Sequence, residues 1–253
     1  DDSVSNISTQ QISIHPNARF TFYGSSPQTT GARFPLTINT LILNKPNAKL
    51  NLTQSLIIND SLLLIKGIIS LTDTSSIDIR NFCNIGNDSS FIEGQIIQSN
   101  NQLQLNFPLG IDNRFLPAII SRTSVTATAY AMKIKRIESD TSLNQNIGAI
   151  EKIMSPYYWA LSKINSNQYD FAEEKLELIK NNADSTHSIN CIAILDSINK
   201  YWRLASNLNF QTAQTKLSTN MNPLVSGSYT LAKAQYAILP LSTIFLEKQS
   251  TKN

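Results

Sequence analysis

The sequence predicts an all-β chain, a short parallel β-helix (a solenoid) followed by an Ig-like β-sandwich. Three observations carry this expectation. Apolar residues beat every six positions across residues 50–69, an alternating strand follows near residue 130, and large aromatics gather beyond residue 150. The composition fits a folded chain with a neutral polar surface. Apolar residues make up 41% of the 253, but charged residues only 15%, against about 25% in ordinary soluble domains. Asn, Ser, Thr and Gln fill the difference. The net charge of +3 and the lack of a Lys/Arg run give no nucleic-acid footprint. With 8 glycines, the chain lacks the material of phosphate-cradling loops.

The solenoid is expected over residues 1–107. Leu50, Leu56, Leu62 and Ile68 are spaced by six, and Leu52, Ile58 and Leu64 form a second register two residues later. Residues i and i+2 share one side of a strand, and polar or turn-forming residues intervene at Thr53–Ser55, Asn59–Ser61 and Lys66–Gly67. Strands this short bury themselves by winding, each coil stacking on its neighbour. Ile12–Ile14, Phe20–Phe22, Leu41–Leu43, Ile77–Ile79, Ile92–Ile97 and Leu103–Leu105 read as further short strands. Pro16, Pro27, Pro35 and Pro46 are expected between strands, where a missing N–H does least harm. Asn at the turns suits the left-handed backbone that corners demand. A many-stranded sandwich is the competing reading of this half.

At Phe107-Pro108-Leu109-Gly110 the beat stops, and residues 108–136 read as connecting or capping strands. Thr126, Thr128, Tyr130, Met132 and Ile134 share one face there. The sandwich is expected over 137–246, with 247–253 as a tail or linker. Both tryptophans and six of the eight tyrosines lie beyond residue 150. Tyr157–Leu161, Cys191–Leu195, Lys200–Ala205 and Ser228–Ala232 read as its strands. The segment Phe171–Lys180 is ambiguous. Its residues are strong helix formers with Ala172, Leu176 and Ile179 at helical spacing, whereas a strand would point Leu176 and Leu178 inward.

Reactive constellations are scarce. The two histidines, His15 and His187, have no His, Cys or carboxylate at metal-ligand spacing, and no G-x-S-x-G elbow occurs. Asp78 and Arg80 fall on one outward side of a strand, a surface ion pair rather than a glycan-cleaving couple. Asn87-Asp88-Ser89 and Asn181–Ser185 lack a calcium-loop pattern and suit Asx-turns. Cys83 and Cys191 are compatible with a bridge or with two inert buried thiols. No catalytic residue, metal or cofactor is therefore expected. No apolar run reaches the 18 or so residues of a spanning helix, so no membrane span is expected either. The start, Asp1-Asp2-Ser3, is common to a processed export substrate and a cytosolic chain.

Several stretches resemble large secreted cell-surface proteins of Bacteroidetes. Leu50-Asn51-Leu52, Leu56–Leu64 and Lys66-Gly67-Ile68-Ile69 are similar to that group's L-x-L…L-x-V-N-x-x-L-x-L…G-x-I coils. Phe91–Ile96, Phe107–Gly110 with Arg114–Ile119, Tyr158–Leu161 and Gly227–Ala232 resemble the strands that follow, and Leu239–Leu246 resembles the opening of a further module. The resemblance implies a secreted, surface-held module of the adhesin or gliding-associated type, exported by the type IX secretion system. Its partners would be surface glycans or other cell-surface proteins, with no nucleic acid. The alternatives are a carbohydrate-binding region of a larger extracellular enzyme and a subunit of a surface secretion or motility assembly. In the carbohydrate-binding case Tyr157, Tyr158 and Tyr201 are the candidate stacking platforms. Asp2-Ser3-Val4, Asp60-Ser61-Leu62 and Asp196-Ser197-Ile198 resemble the group's O-glycan acceptor triplet, marking Ser3, Ser61 and Ser197.

Overall fold

The computed structural model describes residues 15, 17–125, 127–137, 145–146, 150–164, 173–179, 189–199, 201–206, 216–219 and 224–234. Its regular structure there is all β. Residues 19–98 form a β-solenoid of about four turns, and antiparallel sheets follow.

The solenoid strands are β1 (Arg19–Tyr23), β2 (Gln28–Thr29), β3 (Thr37–Leu52), β4 (Leu56–Leu71), β5 (Ser76–Ile79), β6 (Phe82–Cys83), β7 (Ser90–Glu93) and β8 (Gln95–Gln98). All their ladders are parallel. One turn takes about 21 residues: Phe20 pairs with Leu41, Leu41 with Leu62, and Leu62 with Cys83. Ile38, Ile58 and Ile79 make a second inward column, and Leu50, Ile69 and Ile92 a third. The six-residue beat thus counts positions around one coil, not rungs along the stack. Leu50, Leu56 and Leu62 are buried on successive faces of the same winding.

The strands are longer than the sequence pattern suggests. β3 and β4 each run 16 residues and turn corners without breaking. Of the expected turns, Thr53–Ser55 does separate β3 from β4, whereas Asn59–Ser61 and Lys66–Gly67 fall at register shifts inside β4. Between Asn44 and Lys49 the register shifts, five positions of β3 spanning two of β4. Pro46 sits in that bulge, inside β3 rather than between strands, where no ladder bond is lost. Asn47 there has a positive φ of 56°, and Gly67 on the next coil has 96°. A Cβ on Gly67 would lie 2.5 Å from the Lys45 carbonyl oxygen, so the stacked corner excludes any side chain. Pro27 and Pro35 do lie outside strands, and Pro16 and Ile12–Ile14 are outside the described residues.

The remaining strands are β9 (Gln104–Phe107), β10 (Gly110–Ile111), β11 (Arg114–Phe115), β12 (Ala118–Arg122), β13 (Ala129–Arg136), β14 (Gln145–Asn146), β15 (Ile150–Ile153), β16 (Tyr157–Ile164), β17 (Glu174–Ile179), β18 (Cys191–Asp196), β19 (Tyr201–Leu204), β20 (Lys216–Ser218) and β21 (Gly227–Ala234). The solenoid sheet does not stop at β8. β13 adds to it antiparallel, Ile96 opposite Met132, and the sheet continues through β16, β21, β18 and β19. A second sheet has the order β20-β17-β12-β9. Leu105, grouped with the solenoid by its sequence pattern, belongs to this sheet through antiparallel pairing of β9 with β12.

One apolar core runs from Ile38 in the solenoid to Leu231, including Tyr130, Met132, Trp159, Leu176 and Leu178. The indole N–H of Trp159 donates to the Leu116 carbonyl at 3.0 Å, and Tyr229 donates its hydroxyl to Val225 at 2.6 Å, four residues back, as in a tyrosine corner. A smaller cluster of Ile150, Cys191, Ala193, Trp202, Ala232 and Ala234 forms separately from it. Phe107-Pro108-Leu109-Gly110 has a packing explanation. Phe107 and Leu109 are buried, and a Cβ on Gly110 would strike the Phe91 ring at 2.2 Å. Asp112 and Asn113, both with positive φ, then close the β10–β11 hairpin with a two-residue turn. Phe171–Lys180 resolves as strand over Glu174–Ile179, with Leu176 and Leu178 fully buried.

Candidate functional site

The 21-residue period brings polar side chains into columns on the outside of the coils. Asn81 Nδ2 donates to Asp60 Oδ1 at 3.2 Å, and Gln102 Nε2 to Asn81 Oδ1 at 3.3 Å, each 21 residues on. Hydrogen bonds from Ser61 and Asn81 hold the Asp60 carboxyl below its ordinary value. Beside this column the outward position changes from Ser61 to its ladder partner Phe82, and 21 residues later to Leu103. Phe82 and Leu103 are 46% and 52% exposed, unusual for residues of this size.

These side chains line a groove of about 380 Å³ closed by Gln98, Asn100, Gln104 and Asn106. The amides orient one another. Asn100 Nδ2 donates to Gln98 Oε1 at 2.5 Å, Gln98 Nε2 to the Asn106 carbonyl at 2.6 Å, and Gln104 Nε2 to Asn106 Oδ1 at 2.9 Å. Asn106 Nδ2 caps the Cys83 carbonyl at 2.9 Å. Among the described residues, no Asp, Glu, Lys, Arg or His lines it. Cys83 also borders the groove, but burial pushes its thiol far up, away from thiolate chemistry.

Behind the groove lies a buried cluster of ionisable groups. Arg122 pairs with Glu174 across β12 and β17, Tyr130 with Lys163 across β13 and β16, and the two pairs meet between the sheets. The Tyr130 hydroxyl and the Lys163 ammonium both donate to the Glu174 carboxylate, and Lys163 lies 5.7 Å from the Tyr130 ring centre. Arg122 Nε and Nη2 donate to the carbonyls of Gln102 and Asn100 at 2.8 and 2.6 Å. Burial pushes the Glu174 carboxyl up to about 7, and the Arg122 charge pulls the other way. The Glu174 side chain is 2% exposed, so this cluster acts on the architecture: it joins the sheets and clamps the 100–102 segment that forms the groove wall. Sequence reasoning missed it because its members come from four strands. A 21-residue spacing of Asp60, Asn81 and Gln102 was the available sign of the groove.

The residues expected from sequence do not converge. Tyr157 is 7% exposed within the main core, its hydroxyl donating to Asp112 Oδ2 at 3.1 Å. Its neighbour Tyr158 packs against the separate smaller cluster, and Tyr201 is half-buried on β19. These tyrosines therefore form no common platform. Ser61 is half-buried in the coil wall, its hydroxyl donating to Asp60 at 2.9 Å. Ser197 is exposed in a turn where Asp196 accepts from the Ile198 and Asn199 N–H groups, and Ile198 is 87% exposed. Ser3, His187 and Asn181–Ser185 lie outside the described residues. His15 accepts from the Asn17 N–H at 3.2 Å. Asn87 accepts from the N–H and hydroxyl of Ser89, an Asx-turn, and Arg80 reaches Asp78 at 3.6 Å on the surface. Cys83 and Cys191 are free and buried. Among the described residues no group of three His, Cys, Asp or Glu side chains is placed to hold a metal ion.

No family model, curated protein or solved structure matches this chain.

Proposed function

We propose that this chain is a non-catalytic structural or adhesive module of a secreted bacterial cell-surface protein, of the type IX-exported, adhesin or gliding-associated kind that its coil motifs resemble. The observation that carries the reading is the junction of β8 with β13, where Ile96 meets Met132 and Gln98 meets Tyr130. Through it a parallel stack continues as one sheet into antiparallel strands, a beam without a flexible joint at that seam. A load-bearing or displayed module uses such continuity, whereas a reaction site needs exposed, convergent ionisable groups. Here Arg122, Lys163 and Glu174 converge in the interior, where they join sheets. The outward faces carry hydroxyl and amide ladders, which resist nonspecific association and can hydrogen-bond a neighbouring surface.

The test pairs two assays on the purified chain: incubation with a polysaccharide panel, and sedimentation with intact Bacteroidetes cells. The expected result is no product and retention on cells. Turnover of any polysaccharide overturns the reading, as does a failure to associate with the cells.

A further inference from the structure

We propose that the groove between Phe82 and Gln104 binds a neutral saccharide, with Phe82 as the stacking face and Asn81, Gln102 and Gln104 as hydroxyl partners. This deepens the adhesive reading and rests on it, in that the sugar is held and not cleaved.

The charge of the lining narrows the ligand. Six amide side chains line the groove, and among the described residues no acid, base or histidine does. Such a lining gives neither an anion nor a cation a reason to stay, but an amide presents a donor and an acceptor side by side, the complement of adjacent sugar hydroxyls. The hydrogen-bond inventory shows what is left for a ligand. Gln102 spends one N–H on Asn81, and Gln104 one on Asn106. Among the described residues no donor bonds the Oε1 of either glutamine, and each Nε2 makes only the one bond just named.

Apolar exposure points the same way. Phe82 and Leu103 are left open to solvent at the same groove, which costs free energy that a partner with a C–H face recovers. A pyranose has such a face together with equatorial hydroxyls. The volume of about 380 Å³ lies at the small end of the range for small-molecule sites, room for one or two sugar rings.

The site is also prepared in advance. Arg122 clamps the carbonyls of Asn100 and Gln102, and the main-chain N–H of Arg122 bonds the Leu103 carbonyl at 2.9 Å. A wall held by a buried guanidinium loses little freedom when a ligand arrives. An extended peptide is the rival occupant, since amides also recognise backbone. Strand addition at β6 would need the Cys83 carbonyl, which already accepts the Asn106 amide.

The test is retention of the full chain on an array of neutral oligosaccharides (cello-, xylo-, manno- and malto-series), followed by titration of the best series. The same titration is run on Phe82→Ala, Gln102→Ala and, as a control away from the groove, Tyr201→Ala. Binding of one series is expected, weakened about tenfold in Phe82→Ala and several-fold in Gln102→Ala, and unchanged in Tyr201→Ala. Phe82 and Gln102 are exposed, so both variants are expected to melt with the parent protein. Retention of no neutral series overturns the proposal, as does binding that neither groove substitution weakens or binding abolished by a competing peptide. Each of these results leaves the module reading standing. Cleaved oligosaccharide in the same wells would instead overturn the non-catalytic reading and leave the groove assignment in place.

Discussion

Replacing Leu62 by alanine tests the stacking directly. Leu62 is fully buried, paired with Leu41 on one neighbouring coil and Cys83 on the other. Losing three carbons costs about 2.4 kcal/mol of transfer free energy, at about 0.8 per methylene. Main-chain hydrogen bonds fix the rungs on both sides, so they cannot settle into the void. That places the total in the upper half of the Leu→Ala range, about 4 kcal/mol. Ser61→Ala, one position away and facing outward, removes a hydroxyl bonded to Asp60 and costs about 1 kcal/mol or less. A one-residue slip in register exchanges the two faces, so the pair is a sharp test. Urea unfolding followed by far-UV circular dichroism measures both. A Leu62→Ala loss below about 1 kcal/mol, or a Ser61→Ala loss equal to it, would refute the stacking.

Three further outcomes are expected. Glu174 is raised from 4.5 to about 7 in the folded chain, so its contribution is full below pH 4.5 and is lost as pH rises through 7. The loss is at most on the order of 3 kcal/mol, and Glu174→Gln should flatten the urea midpoint between pH 5 and 8.5; equal slopes for both proteins would contradict this. Burial pushes the Cys83 thiol up and that of Cys191 to about 12, so a chromogenic disulfide reagent should find no reactive thiol in the native protein and two in guanidinium. Because Ile96, Met132 and Leu161 are cross-strand partners in one sheet, calorimetry should show one main unfolding transition, which Met132→Ala lowers as a whole; two separated transitions would count against a shared core.

The solenoid was legible because inward side chains must be apolar at every face, and Leu50, Leu56 and Leu62 say so locally; the beat slips at Ile68, where the corner at Gly67 turns Ile69 inward instead. The 21-residue turn was not, because its corners absorb different numbers of residues: Lys49 pairs with Ile68, 19 on, but Gly67 with Ser90, 23 on. Glu174–Ile179 shows tertiary context overriding propensity. Its helix-forming residues are extended because Leu176 and Leu178 fill the core and Glu174 meets Arg122 across the sheet. The tyrosines of β16 misled for a related reason. Adjacent residues on a strand face opposite ways, so Tyr157 and Tyr158 went to different cores. The groove was the least legible feature, since five of its amides lie within residues 98–106 but Asn81 comes from the preceding coil, and no motif links them.

The near-constant coil length constrains how a gene for such a chain can change. A duplicated stretch of about 21 codons supplies both a top and a bottom that already fit, so it slots in and lengthens the rod by one inter-strand step, about 4.8 Å. Shorter insertions have nowhere to go except the bulged corners, such as the one around Pro46 and Asn47. Growth in whole quanta at the rungs, with small irregularities tolerated at the edges, is the evolutionary grain this architecture imposes.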